Sequence, residues 1–229
     1  HVIAVLLFET SVVLLFLWMR PLVGEPSSVI GCAVILFLGA AAEDLLWAFQ
    51  MGFFGSVAAG LGALLLLRHD EQRKDRWACL LLVVSILFSS MSIPFLAGAA
   101  TQLLFRDGLR PDWRKFVRSS WIFLVPALLY AIWWLGWGHL APNSISAHNL
   151  RQDPIYALSG LGYSGLVLSG AFRYLGPEST HDFWALTGLL FAGAIGLVAY
   201  IRRRVPIELV IALAAALSFW ILSGLNYIP

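Results

Sequence analysis

The chain has 229 residues, of which 60% are hydrophobic and only 12% are charged, and its formal net charge is +2. A soluble domain is nearer half apolar and a quarter charged, so this composition excludes an ordinary soluble globular protein. The small net charge gives no indication of nucleic-acid binding. Several apolar runs reach the roughly 20 residues that a helix needs to cross a bilayer. The sequence therefore predicts an all-α, polytopic transmembrane helical bundle in a cell membrane.

The chain begins at His1 directly before one apolar run and ends directly after another. We therefore expect it to be an internal fragment of a longer protein. Cys32 and Cys79 lie in or at the edge of apolar runs and are interpreted as small core residues. No spacing of Cys and His residues is typical of a metal site. The sequence identifies no cofactor and leaves dependence on a divalent metal open.

Three basic segments, 68–76, 106–118 and 202–204, predict the topology, because short loops rich in Lys and Arg remain in the cytoplasm. With all three on one side, the segments between them must cross the membrane an even number of times. We expect a single transmembrane domain over 1–229. Its expected spans are 2–19, 29–42, 45–67, 78–105 (a hairpin), 119–138, 155–175 (interfacial or re-entrant), 184–200 and 207–223.

Residues 78–105 are long enough for one span, yet basic residues flank both ends. The middle of the segment reads "SSMSIP" and contains Pro94, which lacks a backbone N–H and breaks a helix. Non-helical backbone at membrane depth is tolerated only where protein buries it. We therefore expect a short helical hairpin that enters and leaves on the cytoplasmic side.

Two adjacent acids, Glu43 and Asp44, stand between two apolar blocks. Residues 29–67 as one helix would be roughly 58 Å long, about twice the hydrocarbon thickness. We therefore expect two helices with the acids at the turn between them, on the outer face. One interpretation is structural, because acids in the first turn stabilise a helix N-terminus.

A second interpretation is functional, because Glu43, Trp47 and Gln50 are spaced i, i+4 and i+7 and so share one helix face. A carboxylate, a flat aromatic ring and an amide on one stripe could bind a sugar at the membrane surface. The ring would stack on the C–H face of the sugar, and the carboxylate and amide would bind its hydroxyl groups. Both interpretations of the acids remain open.

Three other residues are candidates for function. His139 follows the three tryptophans of "YAIWWLGWGHL", a pattern that an aromatic belt explains and that could also contact a lipid donor. Arg173 lies in a mostly apolar segment on the same predicted side and is a candidate ligand for a lipid phosphate. Glu9 lies within the first predicted span, where an acid is either functional or neutral and hydrogen-bonded to a neighbour.

Residues 40–67 and 80–104, joined by a short basic loop, resemble the middle of polytopic glycosyltransferases of the GT-C superfamily. The likeness is greatest to uncharacterised bacterial, actinobacterial-type members, in which an "E-N-L-L-W-x-F-Q" run opens a helix at the outer face. Asp44 replaces the asparagine of that run. The residues that match it are Glu43, Leu45, Leu46, Trp47, Phe49 and Gln50.

The resemblance implies transfer of a sugar from a polyprenyl-phosphate donor to an envelope glycan, lipid or protein acceptor at the extracytoplasmic face. It also implies a catalytic carboxylate in the first external loop, acting as general base on the acceptor hydroxyl. We expect that loop upstream of this chain. The candidate catalytic acids that remain are Glu43 and Asp44, and the candidate substrate-binding residues are Trp47, Gln50, Arg173 and His139.

The expected partners are thus a lipid-linked sugar donor, its acceptor and membrane lipids, and no nucleic acid. Two other functions remain open. A transporter or channel would place Glu9 and the broken segment 78–105 along a pathway. A membrane subunit without chemistry would need only the stripes of small residues that let helices pack closely.

Overall fold

The regular structure is entirely helical in the part of the chain that the computed structural model describes, which confirms the predicted all-α class. The described residues are 1–37, 50–108, 111–140, 147–168, 186–190, 192–193, 196 and 205–227. The helices are α1 Val2–Val23, α2 Glu25–Leu36, α3 Gln50–Leu67, α4 Gln72–Phe88, α5 Ile93–Leu104, α6 Trp113–Ser119, α7 Trp121–Gly136, α8 Ala147–Leu168 and α9 Ile207–Tyr227.

Three of these helices are long and apolar enough to cross a membrane, namely α1, α3 and residues Ile207–Leu225 of α9. A fourth crossing is possible if α6 and α7, which meet at a 49° bend, act as one span. The helices Glu25–Leu36 and Ser90–Leu104 are apolar but shorter. Helix α8 begins at Ala147, between the expected segments 119–138 and 155–175.

The chain divides into two compact units. Unit 1 comprises His1–His139 with Ile207–Ala215, and unit 2 comprises Leu140–Pro206 with Ala216–Pro229.

In unit 1, α3 and α4 run antiparallel and approach closely because small residues line their contact. A Cβ added at Gly52 would lie 2.9 Å from the carbonyl oxygen of Phe88, so only glycine fits this approach. Further along, the hydroxyl oxygens of Ser56 and Ser85 lie 3.1 Å apart, and Ser85 Oγ donates to the Ser56 carbonyl at 2.8 Å. Hydroxyls that bond across helices stabilise such a contact without water.

The predicted break within 78–105 falls at Ser89–Ser92, where Ser89 is extended and a 3-10 turn follows. Pro94 occupies the first turn of α5, where a missing backbone N–H costs nothing. Helix α5 then returns along α3, with Phe95 beside Gly60. The segment ends close to where α4 began, since Arg106 contacts Asp75 at 2.6 Å.

Helix α1 runs toward the same end of unit 1 as the C-terminus of α3. The turn that follows α1 is made at Gly24, whose φ of 83° favours glycine. Helix α2 then packs back on α1, and the Cys32 thiol lies 3.7 Å from the Val12 carbonyl oxygen. Helix α1 also contacts α3, because Ser11 Oγ donates to the Phe54 carbonyl at 3.2 Å.

The charges of unit 1 are segregated. Every Lys and Arg that the structure describes in this unit lies at the end where α1 and α3 finish and α4 begins. At this end Arg68 donates to the carbonyls of Leu17 and Trp18, and Arg106 forms an ion pair with Asp75. Helix α7 starts near this end, since Ile122 is fully buried in one cluster with Leu67. It continues along α4 toward the opposite end.

In unit 2, α8 packs against the second part of α9. Asn149 Nδ2 donates to the Leu225 carbonyl at 3.1 Å, and the rings of Tyr156 and Trp220 meet edge to face at 6.2 Å. Asp153 is buried in this contact, and its Oδ1 has no hydrogen-bond partner among the described residues.

Large apolar side chains cover much of the outside of unit 1. On α7, Leu128, Ile132 and Leu135 are each at least 60% exposed. Monomeric soluble proteins rarely expose contiguous apolar surface of this kind. The outer surface of α7 therefore fits an apolar surrounding better than water.

Candidate functional site

Two of the predicted site residues lie in the described part of unit 1, toward the end opposite the basic residues. Gln50 is the first described residue of α3 and is half-buried. His139 lies in the 3-10 turn Gly138–Leu140 that follows α7. Its Nδ1 is 3.1 Å from the Trp134 carbonyl oxygen, and its ring centroid is 6.2 Å from that of Trp134. His139 is thus held by the aromatic end of α7.

The other predicted site residues, Glu43, Asp44, Trp47 and Arg173, lie outside the described residues. Their predicted roles in catalysis and substrate binding therefore stay predictions.

Glu9 is exposed on the surface of α1. The two hydroxyls next to it bond elsewhere: Thr10 donates to the Leu6 carbonyl at 2.6 Å, and Ser11 donates to Leu7 and Phe54. Neither of these adjacent hydroxyls donates to Glu9. Glu9 faces outward from the bundle.

The most complete polar arrangement in the described chain lies at the basic end, around the C-terminus of α3. We call it the arginine cluster, made of Arg68, Asp70, Asp75, Gln102, Arg106 and Glu208. A helix leaves its last four carbonyl groups without partners inside the helix. Here all four are paired. The donors to Leu64, Leu65, Leu66 and Leu67 are Gln102 Nε2 (3.1 Å), Arg68 N (3.4 Å), His69 N (3.2 Å) and Arg106 Nη2 (3.4 Å).

Arg106 is the central residue of the arginine cluster. Its guanidinium donates to both carboxylate oxygens of Asp75, at 2.6 and 3.3 Å, and to the His69 carbonyl at 2.6 Å. Asp70 lies 3.2 Å from the same group. The Arg106 side chain is only 8% exposed and that of Asp75 only 11%. Arg106 therefore ties the end of α5 to the end of α3 and the start of α4 through a buried ion pair.

Arg68 links the end of α3 to α1 because a proline leaves one carbonyl of α1 without its helical partner. Pro21 lies inside α1 and has no N–H, so the carbonyl of Leu17, four residues earlier, loses its helical partner. Arg68 Nη1 donates to that carbonyl at 3.3 Å, and Nη2 donates to the Trp18 carbonyl at 2.5 Å. Burial lowers the pKa of the guanidinium, and the nearby Glu208 carboxylate raises it.

The arginine cluster surrounds a cavity of about 250 Å³. The cavity is lined by two arginines, a glutamate and a glutamine, and by no histidine or cysteine. The described residues include no group of His, Cys, Asp and Glu suited to holding a metal ion. The arrangement can bind a charged group and fix helix ends. It does not pair a nucleophile with a base.

In the sequence, Arg68 and Arg106 belong to the basic segments 68–76 and 106–118, which predict only the topology. The sequence does contain one indication of the role of Arg68. Pro21 lies inside an apolar helix, which predicts that the carbonyl four residues earlier needs a donor from elsewhere. Nothing in the sequence pairs that carbonyl with Arg68, which lies 51 residues away from Leu17.

Comparison with known protein families, curated proteins and solved structures finds no match to this chain.

Proposed function

We propose that this protein is a membrane-embedded glycosyltransferase-like protein that transfers a sugar from a polyprenyl-phosphate donor at the extracytoplasmic face. The observation that carries the proposal is the segregation of charge in unit 1. The described Lys and Arg residues gather at the end where α3 finishes, and α3 starts at the other end with Gln50, the last residue of the proposed sugar-binding stripe.

The orientation follows from this segregation, because basic residues mark the cytoplasmic side. The basic end would face the cytoplasm, and the segment broken at Ser89–Ser92 would enter and leave from there. The start of α3 and His139 would face outward, where a lipid-linked sugar is used. The exposed apolar side chains of α7 would then contact lipid.

At the outer face the proposed roles follow the chemistry of each side chain. Trp47 would stack on the sugar, Gln50 would bind its hydroxyl groups, and Arg173 would bind the lipid phosphate with its charge. Glu43 would accept a hydrogen bond or a proton from a hydroxyl of the bound substrate. A further base is expected in the loop upstream of this chain.

The orientation is tested by labelling single cysteines in cells, with Cys32 and Cys79 replaced. Gln72→Cys should be protected from an impermeant maleimide, and Ser146→Cys should react with it. A cysteine at Gly108 should behave like the one at position 72, because the broken segment returns to the same end. Labelling at position 72 together with protection at position 146 would overturn the orientation.

The chemistry is tested by Glu43→Gln in the full-length protein. Sugar transfer from the lipid donor should fall 10-fold or more, which corresponds to about 1.4 kcal/mol of transition-state stabilisation. Expression and folding should be unchanged. Asp44→Asn is the matched control and should be tolerated, since asparagine stands at this place in the resembling sequences. A stable and fully active Glu43→Gln protein would leave Glu43 as a helix cap.

A further inference from the structure

The cavity in the arginine cluster lies among α1, α3, α5 and the first part of α9, all within unit 1. It opens where three helices that are apolar enough to span a membrane end or begin, and therefore at the depth where lipid headgroups would lie. Half of its lining is apolar and half is polar. The lining residues are Pro21, Leu67, Arg68, Gln102, Arg106, Ile207, Glu208 and Ile211.

The two arginines of the cavity are held in place by their terminal nitrogens. Arg68 uses Nη1 and Nη2 on the carbonyls of α1, and Arg106 uses its own on Asp75 and the end of α3. The Nε–H of each arginine is buried and has no hydrogen-bond partner among the described residues, and the same holds for Gln102 Oε1. Buried polar groups are nearly always paired. Three residues that line this cavity therefore each keep an unpaired polar group beside it.

The charges of the cavity indicate the kind of ligand that fits it. Arg106 is neutralised by Asp75 and Asp70. Neither Arg68 nor Glu208 forms an ion pair with any other described residue, whether with each other or elsewhere. The cavity therefore presents a cation, Arg68, and an anion, Glu208, that do not form an ion pair with each other. A ligand that satisfies both must carry a negative and a positive group a short distance apart.

We propose that this cavity binds the headgroup of an aminophospholipid, with the phosphate toward Arg68 and Arg106 and the ammonium toward Glu208 and Gln102. The phosphate oxygens accept hydrogen bonds from the arginines, and the ammonium donates to the carboxylate and the amide oxygen. The apolar part of the lining, including Ile207 and Ile211, lies against the glycerol and the first acyl carbons. The proposal requires that the helices lie in a membrane, but it does not require sugar transfer.

The test uses the full chain, delipidated in detergent and titrated with phosphatidylethanolamine, phosphatidylcholine or phosphatidylglycerol, with bound lipid counted by native mass spectrometry. Phosphatidylethanolamine should bind at least 10-fold more tightly than phosphatidylcholine, because the choline group has no N–H to donate. It should also exceed phosphatidylglycerol, which lacks the ammonium. Equal binding of all three lipids would overturn the proposal.

Two variants locate the site. Glu208→Gln should abolish the preference for phosphatidylethanolamine over phosphatidylcholine, and Arg68→Gln should weaken both at least 10-fold. Arg73→Gln is the matched control, since Arg73 lies on α4 near the same end but outside this cavity. Loss of the preference in Arg73→Gln, or its survival in a folded Glu208→Gln protein, would contradict the proposal. If Arg68→Gln does not fold, Glu208→Gln decides alone. A protein that prefers phosphatidylethanolamine but transfers no sugar would support this inference and contradict the proposed function. A protein that transfers sugar without this lipid preference would do the opposite.

Discussion

Arg106 and Lys115 each form an ion pair, one buried and one exposed. Removing each cation in turn shows how burial changes the stability that an ion pair contributes. The two pairs have nearly the same length, 2.6 Å from Arg106 to Asp75 and 2.7 Å from Lys115 to Asp107. They differ in exposure, since the side chains of the first pair are 8% and 11% exposed and those of the second 50% and 47%. Distance alone predicts equal effects of removing the cation, whereas burial predicts very different ones.

Arg106→Met removes the guanidinium and leaves the Asp75 carboxylate buried without its cation, which costs about 3–5 kcal/mol. That is a large share of the roughly 5–15 kcal/mol by which folded proteins are stable. Lys115→Met leaves Asp107 in contact with solvent and should not change stability measurably, since exposed pairs contribute little. The assay is reversible unfolding in mixed micelles with increasing dodecyl sulfate, followed by far-UV circular dichroism.

The double variant Arg106→Met with Asp75→Leu tests the cause of that loss. With both charged groups gone, no ion is left buried, so the double variant should recover part of the stability that Arg106→Met loses. Full recovery is not expected, because the carbonyls of Leu67 and His69 still lose their donor. Equal losses in Arg106→Met and Lys115→Met, or a double variant as unstable as the sum of its single changes, would refute the reasoning.

Two further predictions concern packing and pH. Gly60→Ala should lower the free energy of unfolding by about 1–3 kcal/mol, because the new Cβ would collide with the ring of Phe95. Gly136→Ala, with nothing within 4 Å of the new Cβ, should be neutral in the same unfolding assay, and a loss there would contradict the steric reason. Burial raises the pKa of the Asp153 carboxyl, so the folded state holds this proton more tightly than the unfolded state. The melting temperature should therefore fall as pH rises from the ordinary pKa of aspartate to the raised one, and Asp153→Asn should remove that part of the slope.

The sequence predicted the helical class and the break near Pro94 because both depend on local properties. Apolar runs of about 20 residues leave few alternatives to helix, and a proline lacks the N–H of a helix interior, so it favours a new helix that starts just before it. The sequence also grouped 68–76 with 106–118 by their charge, and the structure brings these segments together through Arg106 and Asp75.

The arginine cluster could not be predicted in the same way, because its contacts join residues far apart in the chain. Gln102 bonds to a carbonyl 38 residues away and Arg106 to a carboxylate 31 residues away. Charge within a loop indicates the side of a membrane but not which helix end each side chain will cap. Helix α4 likewise begins at Gln72, inside the segment interpreted as a basic loop, because charged side chains are as compatible with a first helical turn as with a loop.

The pairing of Pro21 with Arg68 has an evolutionary consequence. The Leu17 carbonyl needs an outside donor only while position 21 is proline. A relative with alanine at position 21 would restore the backbone bond within α1, and the guanidinium would lose one of the two carbonyls that hold it. Selection on the two positions is therefore linked, although Pro21 lies in α1 and Arg68 lies directly after the end of α3. Among related sequences, a retained proline at position 21 should be accompanied by a retained arginine at position 68, and loss of the proline by more frequent replacement of that arginine.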